Sequence, residues 1–214
     1  MAGEIRTLML DGPAGRLESL LNLGDDHARY AALICHPHPL HGGTMHNKVV
    51  YNAMKALTSF GFHALRFNFR GAGLSEGVHH EGHGEQDDVR AAVNFLHNEF
   101  HLPIIFTGFS FGASVGLRAV CPDARVAGAI SLGTPVLVEG RAYTYGFLRD
   151  CHKPKLFLSG DADPYSPRTQ LESVFATAAD PKKLVFIPNT GHFFEGKLTE
   201  MQAGITAWVK AMFL

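Results

Sequence analysis

Ile104-Ile105-Phe106-Thr107-Gly108-Phe109-Ser110-Phe111-Gly112-Ala113 joins an apolar run to a serine set between two glycines. The run reads as a buried strand and the residues from Ala113 to Val120 as a helix, so G-x-S-x-G falls on a strand-to-helix turn. A serine there sits on a sharply bent backbone, and Gly108 and Gly112 omit the β-carbons that would collide with the neighbouring strand and helix. The Ser110 hydroxyl is then lifted clear of the sheet. The following helix aims its free N–H groups and positive end at the same point, which makes Phe111 N–H the first candidate donor to charge developing on a substrate oxygen. A plain tight turn would use the same glycines, so the flanking sequence must decide between structure and chemistry.

Outward from this turn the pattern is regular. Arg6 to Gly24 reads as two short strands around Asp11-Gly12-Pro13-Ala14-Gly15, an antiparallel hairpin. Ala31 to Cys35 is a strand, Val49 to Phe60 a helix carrying Val50, Ala53, Met54 and Leu57 on one face, and Ala64 to Phe69 a strand. Asp87 to Phe100 is helical, Val126 to Leu132 a strand, and after a longer connection come the strand Lys155 to Ser159 and a helix near Arg168 to Ala178. The strand Leu184 to Ile187 and an amphipathic helix from Leu198 to Phe213 complete the alternation. Short strands that are apolar on both faces and separated by helices imply an α/β fold with a mostly parallel sheet covered on both sides. Nothing resembling a linker or a repeat interrupts the rhythm, so the reading is one domain over residues 1–214.

Composition narrows the function. The chain has 214 residues, 46% of them apolar and 18% charged, with a net charge of -1, which describes an ordinary globular protein able to bury a sizeable core. Dispersed charge offers no field for nucleic acid or an anionic membrane, and a small neutral molecule is the expected partner. The first residues, Met1 to Arg6, carry charges where a secretory segment needs apolar ones, and no window approaches a membrane span, so the cytoplasm is the expected location. Cys35, Cys121 and Cys151 are odd in number and widely spaced, which predicts reduced thiols and no disulfide framework.

A serine hydroxyl needs a base, and the base needs an acid to fix its tautomer. Leu156 to Pro167 runs from a strand into an acidic, proline-rich loop where Asp161 and Asp163 compete for the acid role. Phe186 to Phe194 runs from the last strand into a loop whose one histidine is His192. Serine, acid and histidine thus occur in the order that this arrangement of strands requires.

With these residues in place, the sequence resembles the α/β-hydrolase superfamily, and more closely its small lid-less members akin to dienelactone hydrolase and bacterial esterases. Besides Gly108 to Gly112, the resemblance includes His36-Pro37-His38-Pro39-Leu40-His41-Gly42-Gly43, the stretch Arg66 to Ser75, Gly160-x-x-Asp163 and Gly191-His192. It implies an α/β-hydrolase fold with an antiparallel N-terminal hairpin, helices on both faces and no lid domain. It also selects Asp163, the last residue of G-x-x-D, with Pro167 following. The His-Gly turn of the family aligns with His36, which makes His38 N–H the second oxyanion donor and Leu40 the fallback, since Pro37 and Pro39 have no N–H. Pro37 replaces the usual glycine and Asn68 stands where many members carry aspartate. Asn68, Arg70, Gly71 and Gly73 are assigned to shaping the loop beside the site.

The resemblance implies a serine hydrolase without cofactor or metal, a carboxylesterase acting on small or short-chain esters, although thioesterases, amidases and haloperoxidases use the same triad. Leu40, Phe109, Tyr143, Tyr145 and Phe193 are the candidate pocket residues, and Phe111, Phe147 and Phe194 could join the apolar wall. The connection from Val136 to Pro154 is too short for a helical lid, and an exposed edge strand or the final helix could support a homodimer. Two other readings remain open on the sequence. His36-x-His38-x-x-His41, with His79, His80 and His83, has the look of a metal-dependent hydrolase, but Leu40 stands where such a motif needs aspartate. A non-catalytic binding relative of the same fold is the other.

Overall fold

A computed structural model describes residues 4–214; residues 1–3, part of the opening stretch discussed above, lie outside it. The hairpin forms first, with β1 (Ile5–Gly12) antiparallel to β2 (Gly15–Asn22) and Gly12 opposite Gly15. Then follow β3 (Ala31–Cys35), α1 (Lys48–Thr58), β4 (His63–Phe67), α2 (Gly84–Phe100), β5 (Ile104–Phe109) and α3 (Phe111–Val120). The chain finishes with β6 (Val126–Leu132), β7 (Lys155–Gly160), α4 (Arg168–Thr177), β8 (Lys182–Ile187) and α5 (Leu198–Phe213).

These strands make one eight-stranded sheet in the order β1-β2-β4-β3-β5-β6-β7-β8, antiparallel across β1, β2 and β4 and parallel from β4 to β8. The chain leaves β3 for one side of the sheet and β5 for the other. Their carboxyl ends therefore flank a switch point, where loops diverge and leave a crevice. The His36-to-His41 loop follows β3 and Ser110 follows β5, so both open onto that crevice.

Alternation along the buried strands separates two cores. Leu33, Phe106 and Phe157 pack with residues of α2, α3 and α4 on one face. Ile34, Ile105 and Leu158 pack with α1 and α5 on the other. Every residue of β3, β5 and β7 is buried, as the continuous apolar runs predicted. Local signals fix the helix ends: the Asn47 side chain accepts the Val49 N–H at 2.9 Å to start α1.

Boundaries move where polar residues enter a regular element. β8 begins at Lys182 because its parallel register with β7 pairs Lys155 with Lys182 and Leu156 with Lys183. Lys182 Nζ then donates to the carbonyls of Phe175 and Ala178 at 2.9 and 2.6 Å, satisfying the carboxyl end of α4. Between β6 and β7 the chain forms a tight bridge from Val138 to Arg141 and a short 3-10 turn at Gly146–Asp150, with no lid domain. No described helix is long and apolar enough to cross a membrane.

One expectation is corrected. Cys121 and Cys151 form a disulfide, with Cα atoms 5.4 Å apart across 30 residues of sequence, and Cys35 is the buried free thiol. Spacing along the chain could not show that the end of α3 lies against the segment leaving the 3-10 turn. The bond closes a loop of about that length, for which the chain-entropy estimate is on the order of 3 kcal/mol. Reduction, or the Cys121→Ser/Cys151→Ser pair, is therefore expected to lower the urea midpoint by that equivalent. Identical midpoints with and without reductant would show that the bond contributes nothing to stability.

Candidate active site

The turn at Ser110 is built as the glycine pattern implied. Ser110 adopts φ 53, ψ -119, and α3 begins at the next residue. A Cβ on Gly108 would lie 2.5 Å from Ala113 Cα, and one on Gly112 would lie 2.4 Å from His36 O. Only glycine allows the start of α3 to sit this close to its own strand and to the loop after β3. Phe111 N–H is at the positive end of α3, and neither it nor His38 N–H makes a backbone hydrogen bond among the described residues. Leu40 N–H is engaged, donating to His38 Nδ1 at 3.2 Å, which removes the fallback donor.

Asp163 is buried and His192 nearly so, and His192 Nδ1 lies 2.7 Å from Asp163 Oδ2. A carboxylate only accepts, so Nδ1 donates in this bond, and in the neutral imidazole the lone pair is then on Nε2. Asp163 Oδ1 accepts the N–H groups of Tyr165 and Ser166 at 2.8 and 3.2 Å, and Ser159 Oγ donates to Oδ2 at 3.3 Å. Asp161, by contrast, is exposed and its N–H bonds the backbone of Ile187. Geometry thus separates the two aspartates. Ser110 and His192 line one pocket of about 170 Å³ with His38, Gly43, Tyr165 and Phe193, and no hydrogen bond joins the serine to the imidazole.

The proposed wall is only partly realised. Tyr143 and Phe193 line the pocket, while Leu40 is exposed on the rim of an adjoining cavity. Phe109 does not face the pocket: it is wholly buried at the end of β5, its ring 4.9 Å from that of His192, and supports the imidazole from behind. Tyr145 is also core, its hydroxyl donating to Pro135 O at 2.7 Å. Phe194 is buried in the α1 and α5 core. Tyr165, which pattern reading missed, packs edge-on to His192 at 4.8 Å.

The histidine loop serves as scaffold. His36 Nδ1 lies 2.6 Å from Pro37 O and must donate to it, while Nε2 accepts the Phe69 N–H at 2.9 Å. Both ring nitrogens are occupied by backbone, so His36 has no lone pair for a metal. No cluster of three His, Cys, Asp or Glu side chains with metal-binding geometry occurs among the described residues. Burial pushes the His36 ring down to about 4; burial, reinforced by Arg141, His79, His41 and His36, pushes His38 to about 3. Asn68 and Arg70 hold the neighbouring turn as assigned: Asn68 bonds Glu18 and Met45 N–H, and Arg70 pairs with buried Asp88 at 2.6 Å.

With this geometry, residues 38–149 match the Hydrolase_4 family model, serine aminopeptidase S33. An uncharacterized protein of Rickettsia prowazekii is 32% identical over 209 residues, spanning 94% of this chain and 87% of the relative. The chain belongs to the Hydrolase_4 family, within the α/β-hydrolase superfamily. A lid-less α/β serine hydrolase from Xanthomonas campestris matches with a TM-score of 0.87 at 33% identity, covering 99% of this chain and 96% of the other. An α/β serine hydrolase homologue from Coxiella burnetii matches with a TM-score of 0.86 at 34% identity, covering 97% of each. Like the Xanthomonas protein, this Hydrolase_4 chain carries no lid over its switch point.

The buried neutral His36 gives the fold an acid sensitivity. Its folded pKa of about 4 lies below the ordinary value of 6.5, so the unfolded chain takes up the proton first as pH falls. Stability from this residue is present above the unfolded value and is lost towards the folded one, by on the order of 2 kcal/mol near pH 4.5. Urea midpoints measured between neutral pH and that point are expected to fall, and His36→Gln to flatten part of the decline. Equal slopes in the two proteins would contradict the role given to His36.

Proposed function

We propose that the chain is a serine hydrolase that cleaves small or short-chain carboxylic esters through an acyl-enzyme. The observation that carries this reading is the pairing of Asp163 with His192 at 2.7 Å in the pocket that Ser110 enters from a strained turn. Ser110 Oγ attacks the ester carbonyl carbon while its proton passes to His192 Nε2. The carbonyl oxygen takes up the negative charge and is met by the N–H groups of Phe111 and His38. Collapse breaks the bond to the alcohol, which leaves with the proton from His192. Water then attacks the acyl carbon, His192 takes its proton and returns it to Ser110, and the acid departs.

The environment supports each assignment. The two N–H groups proposed as the oxyanion hole have no internal backbone acceptor. Tyr165, Phe109 and Phe193 surround the imidazole at 4.8, 4.9 and 5.2 Å, which limits water around it and keeps its orientation. Serine-histidine hydrogen bonds of such sites are often long without substrate and tighten when it is bound. The short connection over the pocket supports small acyl groups rather than long lipid chains.

A fluorophosphonate probe is expected to form a covalent adduct mapped to Ser110, abolished in Ser110→Ala. Asp163→Asn is expected to reduce turnover of 4-nitrophenyl butyrate by about 10³–10⁴-fold through loss of the correct imidazole tautomer. Asp161→Asn should stay within about twofold, as is usual for an exposed polar change. Wild-type protein that takes up no probe at Ser110, or a larger loss at Asp161 than at Asp163, would overturn the assignment.

A further inference from the structure

A second cavity adjoins the catalytic pocket and is the larger, about 630 Å³ against about 170 Å³. His38, Arg141 and Tyr143 line both, so a molecule whose reacting bond lies at Ser110 has its natural extension there. The lining is not that of an acyl-chain tunnel. Arg118 from α3 and Arg141 from the Val138–Arg141 bridge bring two guanidiniums to it from separate elements, and neither pairs with a carboxylate among the described residues.

The hydrogen-bond partners of the two guanidiniums are not carboxylates. Arg118 Nη2 donates to the carbonyl and, at 2.6 Å, to the hydroxyl of Thr144, and its Cζ lies 4.8 Å from the Phe147 ring. Arg141 Nη2 lies 3.3 Å from His41 Nε2. Without a carboxylate partner the charge is uncompensated, and an arginine keeps that charge at any working pH. Glu81 is the one carboxylate in the wall; Glu85 is buried behind it, 2.8 Å from His79. In the wall itself two guanidiniums face one carboxylate, and the two arginines are the groups able to meet an anion.

Resting on the serine-hydrolase reading, we propose that this cavity binds a carboxylate at the far end of the substrate, so that the preferred substrates are esters carrying a free carboxylate remote from the scissile bond. Ser110 caps α3, and Ser114 and Arg118 follow it at four-residue spacing within the helix. Seven residues at 1.5 Å each put Arg118 about 10 Å along the helix from its first residue, beside the nucleophile. Arg141, at the junction of the two spaces, meets the shorter substrates and Arg118 the longer ones.

The test uses two series of esters on the purified full chain. One carries the charge on the acyl side, as 4-nitrophenyl half-esters of succinate, adipate and suberate, each beside its methyl-capped neutral analogue. The other carries it on the leaving group, as 4-acetoxybenzoate beside its methyl ester. In at least one series kcat/KM is expected to favour the anion by tenfold or more, mainly through KM, with the preference shrinking as salt is raised. Arg118→Met/Arg141→Met should reduce that ratio at least fivefold, and Arg118→Lys/Arg141→Lys should restore part of it. A ratio near one in both series, or one that the methionine pair leaves unchanged, overturns the proposal.

The two readings fail separately. If Ser110 takes up no fluorophosphonate, the hydrolase reading falls, and calorimetric titration with adipamate, the monoamide monoanion, and adipamide then decides the anion site. Binding of adipamate that exceeds adipamide and is lost in Arg118→Met/Arg141→Met upholds it. Equal binding of the two, or none, overturns it.

Discussion

The backbone at Ser110 is the constraint on which the site depends. A non-glycine residue at φ 53, ψ -119 is unfavourable by about 1–3 kcal/mol and persists only where its surroundings over-determine it. Here they do so from three directions. Ser110 N–H donates to Leu132 O at the end of β6, and Ser110 O accepts the N–H groups of Ala113 and Ser114, at 2.9, 2.9 and 3.1 Å. Gly112 lies against His36 O from the β3 loop. Ser110 is thus bonded to the end of β6 and to its own helix, with the loop after β3 packed against the same turn.

The β3 side of the crevice needs its own support, because a loop with two prolines has few N–H groups to anchor it. His36 supplies the anchor from within. Its ring bridges the Pro37 carbonyl and the Phe69 N–H, joining the loop after β3 to the turn after β4. That turn is tied in its turn to α2 by Arg70 and Asp88, with the Arg70 N–H also donating to the same carboxylate at 3.1 Å. A buried ion pair of this kind is weak support for stability as such, but its several bonds admit one geometry. The result is a rigid margin that brings His38 to the mouth of the pocket.

Much of this was legible along the chain. Strands apolar on both faces declared a covered parallel sheet, and the order of Ser110, Asp163 and His192 matched the order in which its strand ends supply loops. What was hidden depended on contacts across the sequence. Phe109 is the last residue of β5, next to the Ser110 turn, and residue type alone could not say that its ring lies behind His192. Cys121 and Cys151 looked unrelated until the end of α3 met the 3-10 turn. Arg118 lies in the helix read from Ala113 to Val120 and Arg141 in the connection from Val136 to Pro154, and no pattern along the chain relates them. Their common cavity exists only because the bridge at Val138–Arg141 folds back over α3.

Two imidazole-carboxylate pairs flank the crevice, and the difference between them shows what a base requires. Asp163 divides its oxygens: Oδ1 is held by two backbone N–H groups, which leaves Oδ2 aimed at His192 Nδ1 in a hydrogen bond. Glu85 does not. Its Oε2 accepts Gly82 N–H and its Oε1 accepts His80 N–H at 2.6 Å, and His79 Nδ1 approaches that same Oε1 at 2.8 Å without the alignment of a hydrogen bond. An imidazole held in line through Nδ1 has its Nε2 aimed as a consequence, whereas one without that alignment does not. Glu85 is committed to shaping the start of α2, and His79 packs its ring against His38 and Phe111 at 4.8 and 5.5 Å. His79 therefore belongs to the wall of the larger cavity, and of these two imidazoles His192 is the one whose surroundings fit the proposed proton transfer.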